Sequence, residues 1–250
     1  MNKILASLIF FTRLPFGKFV IVPSETFRKA VDCWPFVGWL TGATMAGTLW
    51  LASHCLPMMV AVIMAFLLRI LITGAMHEDG LADFCDGFGG GTSRERILTI
   101  MKDSHIGTYG VLGLIIYSAI WCSLVSALPI NLACSVLISG DAWCKFTSSQ
   151  IINVLPYARN QEESKARVVY EKMDKLSLLL ALVAGILPLV LFIKPLYWSA
   201  TLAPIIVTIL MILLMRRRIN GYTGDCCGAS FLICELSYLL TIYSIFYLLP

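Results

Sequence analysis

Charge is scarce in this sequence. Only 14% of the 250 residues are Asp, Glu, Lys or Arg, the acids number 15 and the histidines three, which is too little polarity to cover a water-soluble domain of this size. With 58% hydrophobic residues and a mean hydropathy of +0.83, most of the chain must have the bilayer as its solvent. Segments of alternating polarity are also missing, which excludes a membrane β-barrel. The apolar runs are continuous and roughly 20 residues long, the length of a membrane-crossing helix. The nine cysteines form no CxxC pair and sit mostly in apolar runs, so neither a zinc site nor a structural disulfide is expected. No small-residue cleavage site follows the short apolar stretch at residues 5–11. That stretch is read as an interfacial helix, with Phe10, Phe11 and Leu14 dipping into the headgroup region, rather than as a secretory signal. Repeats and low-complexity tracts are lacking too, so residues 1–250 are expected to form one domain.

What is present is a series of long apolar segments, at 35–56, 58–76, 109–129, 131–155, 177–193, 196–215 and 229–249. The expected fold is therefore an all-α, polytopic membrane bundle of about seven transmembrane helices. Its cations fall on one side. Lys3, Arg13, Lys18, Arg28 and Lys29 precede the first segment, and Arg94, Arg96 and Lys102 lie in the 77–108 connection. Arg159, Lys165, Arg167, Lys172 and Lys175 lie in the 157–176 connection, and Arg216, Arg217 and Arg218 end the sixth segment. The opposite connections carry only Lys194, so the positive-inside rule places the basic side in the cytoplasm of a bacterial inner membrane. No nucleic-acid partner is expected for these membrane-flanking charges.

The few acids are concentrated. Residues 75–91 read AMHEDGLADFCDGFGGG, with Asp79, Asp83 and Asp86 between an apolar run and a triple glycine. On a helix the three fall within an arc of roughly 60°. Carboxylates so close repel unless a cation sits among them, and ionisable groups beside a membrane boundary default to function. Oxygen-only ligands suit Mg²⁺ or Mn²⁺, and a cation held by a few carboxylates takes substrate phosphates to complete its shell.

Two further polar blocks flank this one. Gly89, Gly90 and Gly91 lead into TSRERILTIMKDSHIGTYG, whose glycines would either admit an anion to the backbone or end a helix, and whose Arg94, Arg96 and Lys102 are candidate phosphate contacts. Asp103 and His105 return the chain to the boundary level of the aspartates. INGYTGDCCGASFLICE, at residues 219–235, contains Thr223, Gly224 and Asp225, which read either as a helix cap or as part of the site. Arg69, inside the second segment, lies too far along a continuous helix to touch Asp83. It is expected to pair with an acid on a neighbouring helix or to snorkel.

HEDGLADFCDGFGGG, MKDSHIGTYG and GYTGDCCGA, in that order, with FFTRLPFG near the start and YAR at 157–159, resemble the cobalamin synthase family (adenosylcobinamide-GDP ribazoletransferases, also cobalamin-5′-phosphate synthases). The resemblance spans most of the chain, with Glu78 and His105 departing from the family pattern. It implies a Mg²⁺-dependent membrane transferase that joins adenosylcobinamide-GDP to α-ribazole or its 5′-phosphate and releases GMP. On that basis Asp79, Asp83 and Asp86 hold the metal, one of them or His77 takes the hydroxyl proton, and Asp225 joins the catalytic set. Arg94, Lys102 and Arg159 clamp phosphate oxygens, with Asp103, His105, Thr223 and Gly224 as further substrate contacts. Other classes that use membrane-boundary acids are CDP-alcohol phosphotransferases and prenyltransferases, whose DG-xx-AR and DDxxD-like patterns are absent, and ion-coupled transporters, whose acids lie nearer mid-bilayer. An oligomer is compatible with all of these.

Overall fold

The computed structural model of the chain describes residues 2–159 and 169–248. Lys165 and Arg167, two cations of the expected basic connection, lie outside the described residues. Within them the chain is helical and has no strand. In order come α1 (Asn2–Phe11), α2 (Phe16–Phe19), a 3₁₀ segment (Ser24–Cys33), α3 (Trp34–Ser53), α4 (Met58–Thr73), α5 (Met76–Gly90), α6 (Arg94–Ile100) and α7 (Thr108–Ser126). Then follow α8 (Ile130–Ser149), α9 (Ile151–Val154), α10 (Lys175–Phe192), a second 3₁₀ segment (Pro195–Thr201), α11 (Leu202–Ile219) and α12 (Gly224–Leu248).

The punctuation follows local chemistry. Pro57 and Pro129 stand just outside α4 and α8, where a missing N–H costs nothing. Ser93 caps α6 by accepting from the Arg96 N–H, and Asp174 caps α10 by accepting from the Ser177 N–H. Between α4 and α5, Gly74 and Ala75 both adopt left-handed backbone, at φ 66° and 59°, and the chain turns by 90°. The acidic motif is thus a separate helix rather than the end of the second span.

α3 packs most extensively against α8. Glycine explains how close they come: a Cβ at Gly38 would stand 2.6 Å from the Ala142 Cα, and one at Gly42 would stand 2.7 Å from the Leu137 carbonyl oxygen. α12 lies at the centre, touching α5, α7, α8 and α11. The outer faces are apolar and exposed, as at Leu179, Val183 and Val190 of α10 and Ile206, Ile209 and Leu213 of α11. That is the pattern of a multi-pass membrane protein, whose lipid-facing side chains need no cover.

By length and hydropathy alone, four helices can cross a membrane: α7, α10, the second 3₁₀ segment continued by α11, and α12. The bent pair α4 and α5 would make five, against the seven expected from the sequence. α3 and α8 coincide with the first and fourth expected segments and are 20 residues long, but they fall outside that set. α8 carries Asp141 and Lys145 in its interior, where Lys145 bonds both Asp141 and Thr41 of α3 and lies 4.1 Å from the Phe231 ring centroid. The polarity that weakens this segment as an apolar run is neutralised inside the bundle.

Candidate active site

α5 and α12 cross at glycines. A Cβ at Gly80 would stand 2.9 Å from the Asp225 carbonyl oxygen, and one at Gly228 would stand 3.3 Å from the His77 Cα. This approach sets Asp79 and Asp83 of α5 against Asp225 in the first turn of α12, with one carboxylate oxygen from each within 4.8 Å of the others. Asp79 is exposed and Asp225 half-buried. The Thr223 hydroxyl bonds the Asp225 carboxylate at 3.4 Å and accepts from the Cys226 N–H at the same distance, so the TGD block acts as a helix start and also delivers a carboxylate. Three convergent oxygen donors without nitrogen or sulfur fit a hard divalent cation such as Mg²⁺.

Asp86 is not in this group. Its carboxylate accepts from the Gly107 N–H at 2.7 Å and the Gly110 N–H at 2.9 Å, at the N-terminus of α7. The arc shared by Asp79, Asp83 and Asp86 is a property of one helix, whereas the partners of each carboxylate come from others. α12 meets the first two, and the positive end of α7 takes the third.

One hollow adjoins the carboxylates, and a second meets it at Arg159. The first is a cavity of about 250 Å³ reached past Asp79, Gly224 and Asp225, with Phe10, Phe11, Trp34, His77 and Tyr170 in its walls. His77 is only 2% exposed, its ring 5.0 Å from that of Phe231 and 5.5 Å from that of Trp34, and its Nε2 has no hydrogen-bond partner among the described residues. The other is an open groove of about 630 Å³ lined by Arg94, Lys102, Asp103 and Arg159, among others. Arg159 borders both.

The strap that carries Arg159 is pinned by backbone bonds. Ala158 N–H donates to the Tyr222 carbonyl at 2.8 Å, and Tyr222 N–H donates to the Pro156 carbonyl at 2.9 Å. Arg94 donates to the carbonyls of Ile219 at 2.9 Å and Ala158 at 2.8 Å. It therefore braces the strap against the end of α11 as well as lining the groove. Arg159 donates to the Leu98 carbonyl at 3.0 Å, and its Nε is buried without a partner among the described residues. Asp103 accepts from the His105 N–H at 3.0 Å and bonds its Nδ1 at 2.7 Å, contacts that lower the Asp103 carboxyl below the ordinary range. Asp103 thereby holds His105 rather than facing the carboxylate group.

Beneath the site lies a buried ion network. Arg69 of α4 donates to both carboxylate oxygens of Glu235 of α12, at 2.9 and 2.7 Å, and to Glu78 of α5 at 3.1 Å. It also donates to the Tyr117 hydroxyl of α7 at 2.7 Å, and that hydroxyl donates to Glu235 at 2.6 Å. Of the two expectations for Arg69, pairing across helices is the one realised. The tie to Glu78 exists because the turn at Gly74 and Ala75 folds α5 back toward α4. Of the aromatic walls, Phe10 and Phe11 open the FFTRLPFG block and were expected to dip into the headgroup region, whereas here they face the cavity, with Phe11 buried; Trp34 and Tyr170 carried no motif.

The fold and site together define a class: a helical membrane protein with a carboxylate group set between two helix starts, beside a cation-lined groove. The model of the cobalamin-5-phosphate synthase family matches residues 3–243, and the chain belongs to that family. An adenosylcobinamide-GDP ribazoletransferase of Shewanella baltica is 39% identical over 243 residues, covering 94% of this chain and 91% of its own. That of Shewanella oneidensis is 36% identical over 230 residues, covering 91% and 88%, and that of Shewanella frigidimarina 34% over 248 residues, covering 98% and 95%. No solved structure matches the chain.

Proposed function

We propose that this protein is a Mg²⁺-dependent adenosylcobinamide-GDP ribazoletransferase of cobalamin biosynthesis, joining adenosylcobinamide-GDP to α-ribazole or its 5′-phosphate with release of GMP. The observation that carries the mechanism is the convergence of Asp79, Asp83 and Asp225 within 4.8 Å, on a cavity that also holds Arg159, which in turn lines a groove with Arg94 and Lys102. Family membership favours this reading over a lipid-diphosphate transferase or a transporter.

A secondary ribose hydroxyl of the nucleoside, free in both α-ribazole and its 5′-phosphate, attacks the cobinamide-side phosphorus, forming a P–O bond as the bond from that phosphorus to the bridging oxygen breaks. GMP leaves with the bridging oxygen, and the hydroxyl proton passes to a base. Such a transfer needs alignment and charge neutralisation more than covalent help. When bound, Mg²⁺ would neutralise diphosphate charge and polarise the phosphoryl group. Asp79, Asp83 and Asp225 would hold it, with Mn²⁺ as an alternative of the same chemistry. Arg159, and Lys102 from the turn after α6, orient phosphate oxygens. Arg94 contributes through its grip on the 158–159 strap, and Thr223 and Gly224 shape the start of α12 around Asp225. His77 or one of the carboxylates accepts the proton, and Asp103 borders the groove from the α6–α7 turn and holds His105. Asp86 acts on the site by fixing α5 to α7.

The site is placed at the cytoplasmic face of the bacterial inner membrane, with seven spans and α1 lying in the interface, because that arrangement puts every basic connection on one side. Purified protein in nanodiscs, given adenosylcobinamide-GDP, α-ribazole and Mg²⁺, should release GMP and lose that activity with EDTA. Absence of GMP under these conditions overturns the assignment.

A further inference from the structure

We propose that the aromatic cavity beside Asp79 and Asp225 seats the nucleobase of the attacking nucleoside, so that Phe10, Phe11, Trp34 and Tyr170 select which base the enzyme accepts. This rests on the transferase reading above and extends it by giving each substrate its own approach to the carboxylates. In-line displacement requires nucleophile and leaving group on opposite sides of the transferred phosphorus. Two hollows meet at Arg159, and their linings differ in kind. The open groove adds Arg94 and Lys102, donors suited to the phosphate oxygens of a departing guanylate. The cavity has no cation besides Arg159, and the rings of Phe10, Phe11, Trp34, His77 and Tyr170 form much of its wall beside the Asp79 and Asp225 carboxylates.

Those rings form a box suited to a flat aromatic guest. Phe11 and Trp34 stack at 5.1 Å with planes 17° apart, and Phe10 meets Tyr170 edge to face at 5.9 Å. A corrin macrocycle is far too large for about 250 Å³, and for a diphosphate the lining sets one cation, Arg159, against the two repelling carboxylates of Asp79 and Asp225. A benzimidazole-like base has both the shape and the polarity, and ring stacking rewards it. With the base inside, the sugar lies at the mouth, where Asp79 and Asp225 stand. His77 lines the same cavity, its ring set against those of Phe231 and Trp34.

The test uses the full protein in nanodiscs, with Phe10→Leu and Tyr170→Leu removing one ring each and Tyr170→Phe keeping it. Equilibrium binding of radiolabelled α-ribazole alone reads the cavity without turnover, and initial rates give KM for both substrates. Each Leu variant should weaken α-ribazole binding about tenfold and raise its KM in step, at an unchanged KM for adenosylcobinamide-GDP. Each should also change the preference between α-ribazole and the nucleoside of unmethylated benzimidazole, while Tyr170→Phe keeps wild-type affinity. Retained adenosylcobinamide-GDP affinity shows that a variant is folded. Wild-type α-ribazole affinity in both Leu variants, or an equal rise of both KM values, overturns the cavity assignment while leaving the transferase reading intact. A wild type that neither binds α-ribazole nor releases GMP overturns both.

Discussion

Neighbouring aspartates on one helix have different surroundings, and replacing each by Asn separates them. Asp79, Asp83 and Asp225 converge, so loss of any one charge removes a cation ligand. GMP release should fall by about a hundredfold or more, equivalent to about 2.7 kcal/mol, with little change in thermal unfolding. Asp86 caps α7 instead, so Asp86→Asn should lower stability by about 1 kcal/mol and leave turnover per folded molecule within about tenfold. Rates and melting curves of the four variants decide this, and an inactive but fully stable Asp86→Asn would restore that residue to the metal set. The Arg69 network is purely structural by the same logic. Glu235→Leu takes one of its two carboxylates from the buried Arg69 guanidinium, leaving Glu78, and should cost about 3 kcal/mol, with a coupling to Arg69→Met of about 1 kcal/mol or more in a double-mutant cycle. A double variant whose loss equals the sum of the two single losses would mean that the pair carries no net coupling.

Helix existence was legible in the sequence because apolar runs of membrane length have few alternatives. Helix relations were less so. The turn at Gly74 and Ala75 sits between two segments that each read as helical, and nothing in a one-dimensional pattern distinguishes a bend there from a continuation. The aspartate arc likewise could not show that α12 and α7 would divide the three carboxylates. Asp225 was visible as a rare acid, but its partners depend on the contact of Gly80 with the Asp225 backbone. Gly80→Ala should therefore push α5 from α12 and impair catalysis by more than about tenfold, because backbone cannot yield as a flexible side chain does. A fully active Gly80→Ala would show that the crossing tolerates a shift. α10 supplies a pH prediction. The Ser177 N–H and hydroxyl, and then Lys3, hold the Asp174 carboxyl well below its usual range. A depressed native carboxylate stabilises the fold above its unfolded pKa of about 3.9, and that contribution is lost only as pH falls further. The melting difference between wild type and Asp174→Asn should accordingly be constant from pH 5 to 8. A difference that shrinks between pH 8 and 5 would assign the effect to another group.

For the whole molecule the open question is how many of its helices cross the bilayer, and the parity of the basic connections answers it. If α3 and α8 both cross, then α3 and α4 return the chain to the side of its N-terminus, α7 and α8 return it again, and α10 and α11 a third time. Lys102, Lys172 and Arg217 then share one face, and Lys194 lies on the other. If only the more apolar helices cross, α7 stands alone between Lys102 and Lys172, and these two fall on opposite faces. The positive-inside rule favours the first arrangement, since the second would put one cluster of cations outside. The buried Asp141–Lys145 pair favours it too, because inside the bundle each charge has its partner and neither faces lipid. Single cysteines at 102, 172, 194 and 217 in a variant lacking the nine native ones, probed in intact cells with a membrane-impermeant maleimide, should give labelling at 194 alone. Labelling that divides 102 from 172 would remove α8 from the spanning set, and labelling of both would turn the molecule over and move the carboxylates to the periplasmic face.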